Sequence, residues 1–362
     1  MEELRKHTKN RRAFKIAYFI LIIILSSITL FIYVRINSVY KQTVVSQIQD
    51  IQLVLARSEA KSIEGYLREQ VQLIQYIDSL DAIKSLDAVH TRQAFQEVMD
   101  DSDSPFIGIA RIDNNGVTKV SVNRTGSKES EGMNFSDRQY FEWAKNPVNK
   151  DKVQITQPFL ARTNPVKGKY VIGIVNPTYF NNNFTGLSII VISLNEFNKL
   201  FMDPIKINSS TRSLLSDQDG KIIAGDSSLI DTNFIEYAQK EKWPGWLNFI
   251  NGVKNAMQTK SGKMQLSFKD QSDNKLYNFL ISYQVININN SDYFVIIYNT
   301  DDIVKYYLGP TWSYQIIGLL IVIVFTLMAS LSFIIIDNLS RMDGFYRGYT
   351  HALNNIKKSK PA

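Results

Sequence analysis

Two uncharged apolar stretches, one near each end of the sequence, restrict the fold more than any other feature. The first covers the 19 residues 16–34 (IAYFILIIILSSITLFIYV), and the second covers the 23 residues 314–336. About 20 apolar residues in an α-helix cross the roughly 30 Å hydrocarbon core of a bilayer. A buried helix of a soluble domain rarely runs this long without a polar face. The sequence therefore predicts two transmembrane helices, 16–34 and 314–336.

The excess of basic residues lies at the two ends of the chain. Residues 1–15 carry a net charge of +4 and residues 337–362 carry +3, which together equal the formal charge of +7. The positive-inside rule places both ends in the cytoplasm and therefore 35–313 outside it. The first stretch is longer than the roughly 7–15 apolar residues of a signal peptide, and no cleavage site follows, which favours an uncleaved anchor. The neutral body also argues against a nucleic-acid partner.

The side chains that usually carry enzyme chemistry are scarce. There is no cysteine, and the three histidines, His7, His90 and His351, lie far apart in the sequence. There is no glycine-rich phosphate loop, nucleophile elbow or zinc-binding histidine pair, and Asp217 with Asp219 is interpreted as turn chemistry. The sequence predicts no enzyme activity, no metal site and no cofactor. The lack of cysteine also fits a bacterial envelope better than a eukaryotic secretory lumen.

Residues 36–99 have the pattern of a long helix. Apolar side chains recur at three- and four-residue steps, as at Ile63, Leu67 and Val71. Two interpretations stay open for the part nearest the membrane, Val44 to Leu55. This part packs only on its own domain, or it forms a homodimer seam that continues through the transmembrane helices.

A strand pattern follows and occurs twice. The unit strand, turn, strand at 106–122 returns at 213–224, and the strand pair at 170–192 returns at 277–298. Both landmarks repeat after about a hundred residues, which indicates a duplicated α+β module. The connections are too short for repeated helical crossovers, so antiparallel sheets are expected. We predict a membrane-distal module over 105–203 and a membrane-proximal module over 207–308.

Three segments of the distal module resemble one known family. Residues 137–144 read DRQYFEWA, residues 159–163 read FLART, and residues 175–177 read VNP. In order and spacing they resemble the double Cache sensor region, the extracytoplasmic input domain of many bacterial chemoreceptors, histidine kinases and diguanylate cyclases. The resemblance implies an α+β fold with a long N-terminal helix and two PAS-like antiparallel-sheet modules between two transmembrane helices. It also implies a two-pass protein of the bacterial inner membrane.

The resemblance directs attention to Arg138 and the aromatic residues around it. A guanidinium presents a planar fork of donors that suits a carboxylate, and aromatic faces can wall a pocket. The predicted ligand-binding residues are Arg138, Tyr140, Phe141, Trp143 and Tyr170. The competing interpretation is that Arg138 only ties its loop to Asp137 or to sheet carbonyls, and that the aromatic residues are core.

One departure from the family pattern bears on the ligand. Cache sensors of the amino-acid class usually have a motif similar to Arg-x-Trp-Tyr here, with an aspartate on the last strand of the distal module. This chain has Tyr140 and Phe141 at the aromatic positions and Val191 near the place of the aspartate. No group would neutralise an α-ammonium, so a small carboxylate or another small anion is the expected ligand.

The segment after the second apolar stretch bears on the output. Residues 337–362 are fewer than the roughly 40 that a self-sufficient fold usually needs. We therefore expect a sensor that signals through a separate cytoplasmic output protein. One alternative is the truncated input half of a cyclase, kinase or chemoreceptor, and another is an envelope solute-binding or scaffold protein. The final lysines, Lys357, Lys358 and Lys360, either contact anionic membrane lipid or form a solvated flank.

Overall fold

The computed structural model describes residues 2–100, 105–205, 210–240, 251–252, 255, 258–269, 276–300, 318–320, 322–335, 338, 341–342 and 344–351. The chain divides into two compact units, Val45–Ile303 and the two terminal segments together. Within the described residues two helices are long and apolar enough to cross a membrane, one starting at Ile16 and one over Gly318–Ile335. The predicted residues 314–317 and 336, and the final lysines, lie outside the described part.

The predicted helix over 36–99 is three helices. Helix α1 covers Glu2–Ser79, and two shorter helices follow, α2 (Asp81–Lys84) and α3 (Ala88–Asp100). The chain turns between them at Leu86, whose φ is 61°. The Asp87 carboxylate then caps α3 by accepting the backbone N–H groups of Val89 and His90. A three- and four-residue periodicity persists through such a turn, because each short helix buries its own apolar side against the same core.

The distal module contains a six-stranded antiparallel sheet. Its strands are β1 (Phe106–Asp113), β2 (Thr118–Asn123), β3 (Gln154–Ile155), β4 (Phe159–Leu160), β5 (Tyr170–Phe180) and β6 (Asn183–Ser193). Their order is β2-β1-β6-β5-β3, and β4 also pairs with β5. Helix α4 (Gln139–Lys145) follows β2, and α5 (Leu194–Phe197) follows β6, where it leads into a π-helical turn, Asn198–Met202.

The proximal module repeats this arrangement in a five-stranded antiparallel sheet. Its strands are β7 (Arg212–Asp217), β8 (Ile222–Ala224), β9 (Ser261–Lys269), β10 (Leu276–Ile288) and β11 (Ser291–Thr300), and α6 (Phe234–Lys240) occupies the place of α4. The order is β8-β7-β11-β10-β9. The predicted strands and the predicted α+β class are confirmed.

Each sheet contains a turn of the same type, which supports the duplication. Asp113 accepts the backbone N–H groups of residues 115 and 117 through one carboxylate oxygen, and Asp217 accepts those of residues 219 and 221 in the same way. The following glycines, Gly116 and Gly220, both have a φ of +83°. Asp217 therefore fixes the turn, as the sequence predicted for this residue.

Helix α1 packs along both modules. One apolar cluster joins the buried residues of α1 to strands of both sheets. The α1 residues of this cluster are Ala60, Ile63, Leu67, Val71, Ile74 and Ile77. Two buried amides dock it on the proximal sheet, where Gln49 donates to the carbonyl of Met264 and Gln52 donates to the side chain of Asn299. At the distal end Asp78, 7% exposed, accepts hydrogen bonds from Ser188 and Asn176.

The burial of Asp78 predicts a pH-dependent stability. Burial raises the pKa of Asp78 to about 6, although the hydrogen bond from Ser188 and the charge of Arg111 oppose the rise. The folded chain therefore binds this proton more tightly than the unfolded chain does. The stability that it contributes is complete below about pH 4 and is lost as the pH rises through about 6, on the order of 2–3 kcal/mol.

Urea unfolding of the wild type and of Asp78→Asn between pH 4 and 7 checks this prediction. The loss of stability over that interval is expected to shrink in the variant, because asparagine does not titrate. The exposed neighbour Asp81 gives the control Asp81→Asn, in which the wild-type pH dependence should persist. An unchanged profile in Asp78→Asn would contradict the assignment.

Candidate ligand-binding site

The two faces of the distal sheet have different neighbours because side chains alternate along each strand. On β6, Ile190 and Ile192 join the apolar cluster that contains α1. Ile189 on the same strand instead joins a second cluster with Tyr140 and Phe141 of α4. One face therefore packs on the long helix, and the other is covered by α4 and by the loops on either side of it.

A cavity of about 90 Å³ lies on the face away from α1. Its wall includes polar and charged side chains from strands, loops and α4, among them Ser121, Asn123, Arg138, Tyr140, Arg162 and Thr163. An apolar cavity of roughly 150 Å³ is known to hold benzene. In this conformation the cavity therefore suits a molecule of only a few heavy atoms.

Arg138 enters this wall at the N-terminal cap of α4, with an extended backbone (φ −84°, ψ 137°). Its Nη2 donates to the carbonyl of Leu160 at 3.0 Å, and its guanidinium lies over the ring of Phe159, 5.2 Å from the centroid. Its Nε is buried and has no hydrogen-bond partner. A buried donor without an acceptor is costly, so this atom marks where an anion would be favoured.

Burial and the neighbouring guanidinium charges shift the pKa values of two side chains in the wall, Arg138 and Tyr140. Burial lowers the pKa of Arg138, and the nearby charge of Arg162 lowers it further. Burial raises the pKa of Tyr140, which is 7% exposed, well above its ordinary value, while the two guanidinium groups oppose the rise. The Tyr140 hydroxyl therefore stays protonated at neutral pH and can donate to an anion in the cavity.

The structure brings together two of the five predicted residues, Arg138 and Tyr140. Phe141 is buried in the core under α4, where its ring meets Phe184 edge-on at 6.0 Å. Trp143 instead lines a polar cleft of about 320 Å³ between the two modules. Tyr170 packs against the cluster on the α1 face of the sheet. For Phe141, Trp143 and Tyr170 the geometry favours the competing interpretation that they are structural.

The position of Tyr170 follows from strand alternation. Its neighbour Val171 lines the cavity, so Tyr170 must face the other side of β5. A sequence establishes which residues share a face, but the face that meets the ligand depends on what packs against each side. For this strand the two choices were equivalent before the structure was known.

Sequence reasoning missed Arg162 as a site residue. It lies in the loop between β4 and β5, and its side chain lines the cavity beside Arg138. Its two terminal nitrogens donate to both carboxylate oxygens of Asp137, at 2.9 and 2.5 Å. The one signal in the sequence is that Arg162 belongs to the segment FLART, which resembles the family. Nothing in the spacing shows that residues 162 and 138 line the same cavity.

No acidic side chain is among the described residues that line the cavity. Val191, expected near the place of an aspartate in the amino-acid class, does lie on its wall. The combination of a basic wall, a protonated phenol and an aliphatic residue here suits a small anion. The described lining residues offer no counter-charge to an ammonium group.

A long helix, two PAS-like sheets and a cavity in the distal module define a ligand-binding sensor domain. The comparisons give its family, since the family model described as Cache domain (double Cache type) matches residues 36–306. The chain belongs to the double Cache family, whose domains are extracytoplasmic parts of receptors. A search of the curated protein sequences finds no match.

Solved structures support the same fold. The periplasmic sensory domain of the Campylobacter jejuni chemoreceptor Tlp1 aligns with a TM-score of 0.56 at 13% identity, covering 72% of this chain and 97% of that one. The ligand-binding domain of the Pseudomonas fluorescens chemoreceptor CtaA, in complex with L-isoleucine, gives 0.52 at 12% identity, covering 74% and 99%. Its complex with L-leucine gives 0.51 at 12% identity, covering 72% and 97%.

Proposed function

We propose that this chain is a membrane-anchored extracytoplasmic sensor, whose distal cavity binds a small carboxylate and whose transmembrane helices pass the signal to the cytoplasmic side of the membrane. The observation that carries the ligand class is Arg138, a residue of the cavity wall whose buried Nε has no hydrogen-bond partner. A carboxylate would accept from the guanidinium fork and from the Tyr140 hydroxyl. The two apolar helices support the anchoring.

A carboxylate fits this wall better than an amino acid. The related CtaA domain is solved with L-leucine and L-isoleucine, ligands that carry an α-ammonium as well as a carboxylate. In this chain the described lining residues include no aspartate or glutamate. An ammonium group would lose its hydration without gaining a counter-charge, which costs binding free energy.

Replacing Arg138 by alanine is expected to weaken carboxylate binding strongly. The variant loses the charge-assisted hydrogen bonds, so affinity should fall by about tenfold to hundredfold. Thermal unfolding of the full chain in detergent, with and without acetate, propionate, lactate or pyruvate, measures this. A ligand at 100 times its Kd adds roughly 2.7 kcal/mol to the stability of the wild type.

Arg57→Ala provides the matched control, because Arg57 is an exposed arginine of α1 whose side chain contacts Ser261 rather than the cavity. It should keep the wild-type response to every acid. Stabilisation by L-leucine or L-alanine together with no response to simple acids would overturn the carboxylate assignment. The unliganded Tm of Arg138→Ala shows whether that variant is folded.

A passive solute-binding or scaffold protein is the remaining alternative. A sensor must bind its ligand better in one conformation than in another, so occupancy has to alter the anchors. Cysteine pairs placed along 16–34 and 314–336 of this cysteine-free chain should change their cross-linking pattern with ligand in a sensor and keep it in a passive binder. Cross-links between copies at the exposed Ile51 and Val54 would test the homodimer seam.

A further inference from the structure

Two guanidinium groups line the cavity, and they are held in different ways. Arg138 is partly buried, with one nitrogen on a backbone carbonyl and another without a partner. Arg162 is bound at both terminal nitrogens, but by Asp137, which is not one of the residues that line the cavity. The wall therefore contains one guanidinium, that of Arg138, with an unused donor, and a second, that of Arg162, whose terminal nitrogens already bind a carboxylate.

The Arg162–Asp137 pair is exposed to solvent. The side chains are 39% and 58% exposed, respectively. Exposed ion pairs contribute little to stability, because water screens them and both side chains lose freedom when they pair. Exchanging Asp137 for another carboxylate would return Asp137 to water without burying an unpaired charge. The pair thus restrains Arg162 only weakly.

The backbone of Arg162 is fixed independently of Asp137. The loop is closed by hydrogen bonds from the Ala161 N–H to the Lys169 carbonyl and from the Gly168 N–H to the Ala161 carbonyl. Glu129 also accepts from the backbone and side-chain nitrogens of Asn164. Only the Arg162 side chain would have to move to bind a different carboxylate. The hydrogen bonds of the loop keep its backbone at the cavity wall.

We propose that Arg162 is a second carboxylate-binding residue, which exchanges Asp137 for the second carboxylate of a short aliphatic dicarboxylate whose first carboxylate binds Arg138. This inference rests on the proposed function and specifies the ligand class of the same cavity. The cavity, about 90 Å³, has room for only part of such a ligand, and its second carboxylate would lie at the exposed Arg162, which favours a short chain such as malonate or succinate. Thr163 and Asn123, also on the wall, add neutral hydrogen-bonding groups.

Succinate and butyrate form the matched probe pair, because they have the same number of carbons and differ in one carboxylate. Calorimetry on the full chain in detergent is expected to show wild-type succinate binding about tenfold or more tighter than butyrate binding. Arg162→Gln should weaken succinate binding about tenfold to hundredfold, to the level of butyrate, and change butyrate binding by less than about threefold. Asp137→Asn removes the internal competitor and should strengthen succinate binding several-fold.

Arg162→Lys is the second variant, since it keeps the charge but loses the planar fork and should give an intermediate succinate affinity. The Tm of each unliganded variant reports folding. Unchanged succinate binding in Arg162→Gln, with loss of both ligands in Arg138→Ala, would overturn this inference and leave the proposed function standing. Absence of binding of both acids to the wild type would overturn both. Weaker succinate binding in Asp137→Asn would also contradict the exchange.

Discussion

Replacing Gly186 by alanine is expected to lower the free energy of unfolding by more than about 4 kcal/mol or to prevent folding. Gly186 has a φ of +127°, a conformation that side chains rarely tolerate. It lies in β6 between two partner strands, opposite Asp113 of β1 and Thr178 of β5. An added Cβ would lie 1.9 Å from the carbonyl oxygen of Ile112 and 2.6 Å from a nitrogen of Arg111.

The strain has no easy release, because the atom in the way belongs to the backbone of a paired strand. Urea unfolding in detergent, followed by circular dichroism, measures the effect. Gly65→Ala is the control, since Gly65 lies in α1 and a Cβ there would meet nothing within 4 Å. That substitution should stabilise the helix by up to about 1 kcal/mol. Equal stabilities for the two variants would refute the close approach at Gly186.

Arg111→Met should destabilise the protein by about 3–5 kcal/mol, the usual result of removing one partner of a buried charge pair. Arg111 is 0% exposed, so water cannot replace it as the hydrogen-bond donor to its partners. It donates to the carbonyls of Ile83 and Leu187, each at 3.1 Å, and to the hydroxyl of Thr185 at 3.1 Å. Its charge also opposes the rise in the pKa of Asp78.

Methionine fills much of the same volume but donates no hydrogen bond. The buried carbonyls would therefore lose their donor, and Asp78 would lose its nearby cation. Arg111→Lys separates the two causes, because it restores a charge without the fork of donors, and it should recover only part of the loss. The Tm of the full chain should fall by roughly 10 °C in Arg111→Met. A change below about 1 kcal/mol would show that this network is not needed for stability.

Arg111 also illustrates a limit of sequence reasoning. The sequence of its strand, FIGIARID, does not show that this arginine is buried. It is buried because α1 and α2 cover that face of the sheet, and the carbonyl groups exposed there are matched to a guanidinium. Alternation along β1 predicts that the side chains of residues 110 and 111 lie on opposite faces of the sheet. The alternation does not show which element covers each face.

The sequence determined the elements that depend on local chemistry: the apolar spans, the strands with their repeated aspartate–glycine turns and the duplicated module. These follow from periodicity, turn geometry and hydrophobic length, all of which act over a few neighbouring residues. Only the tertiary structure decided that Tyr170 faces α1, that Arg162 lines the same cavity as Arg138, and that Arg111 is buried. Such contacts join residues far apart in the chain, and their free energy depends on packing that no local pattern specifies.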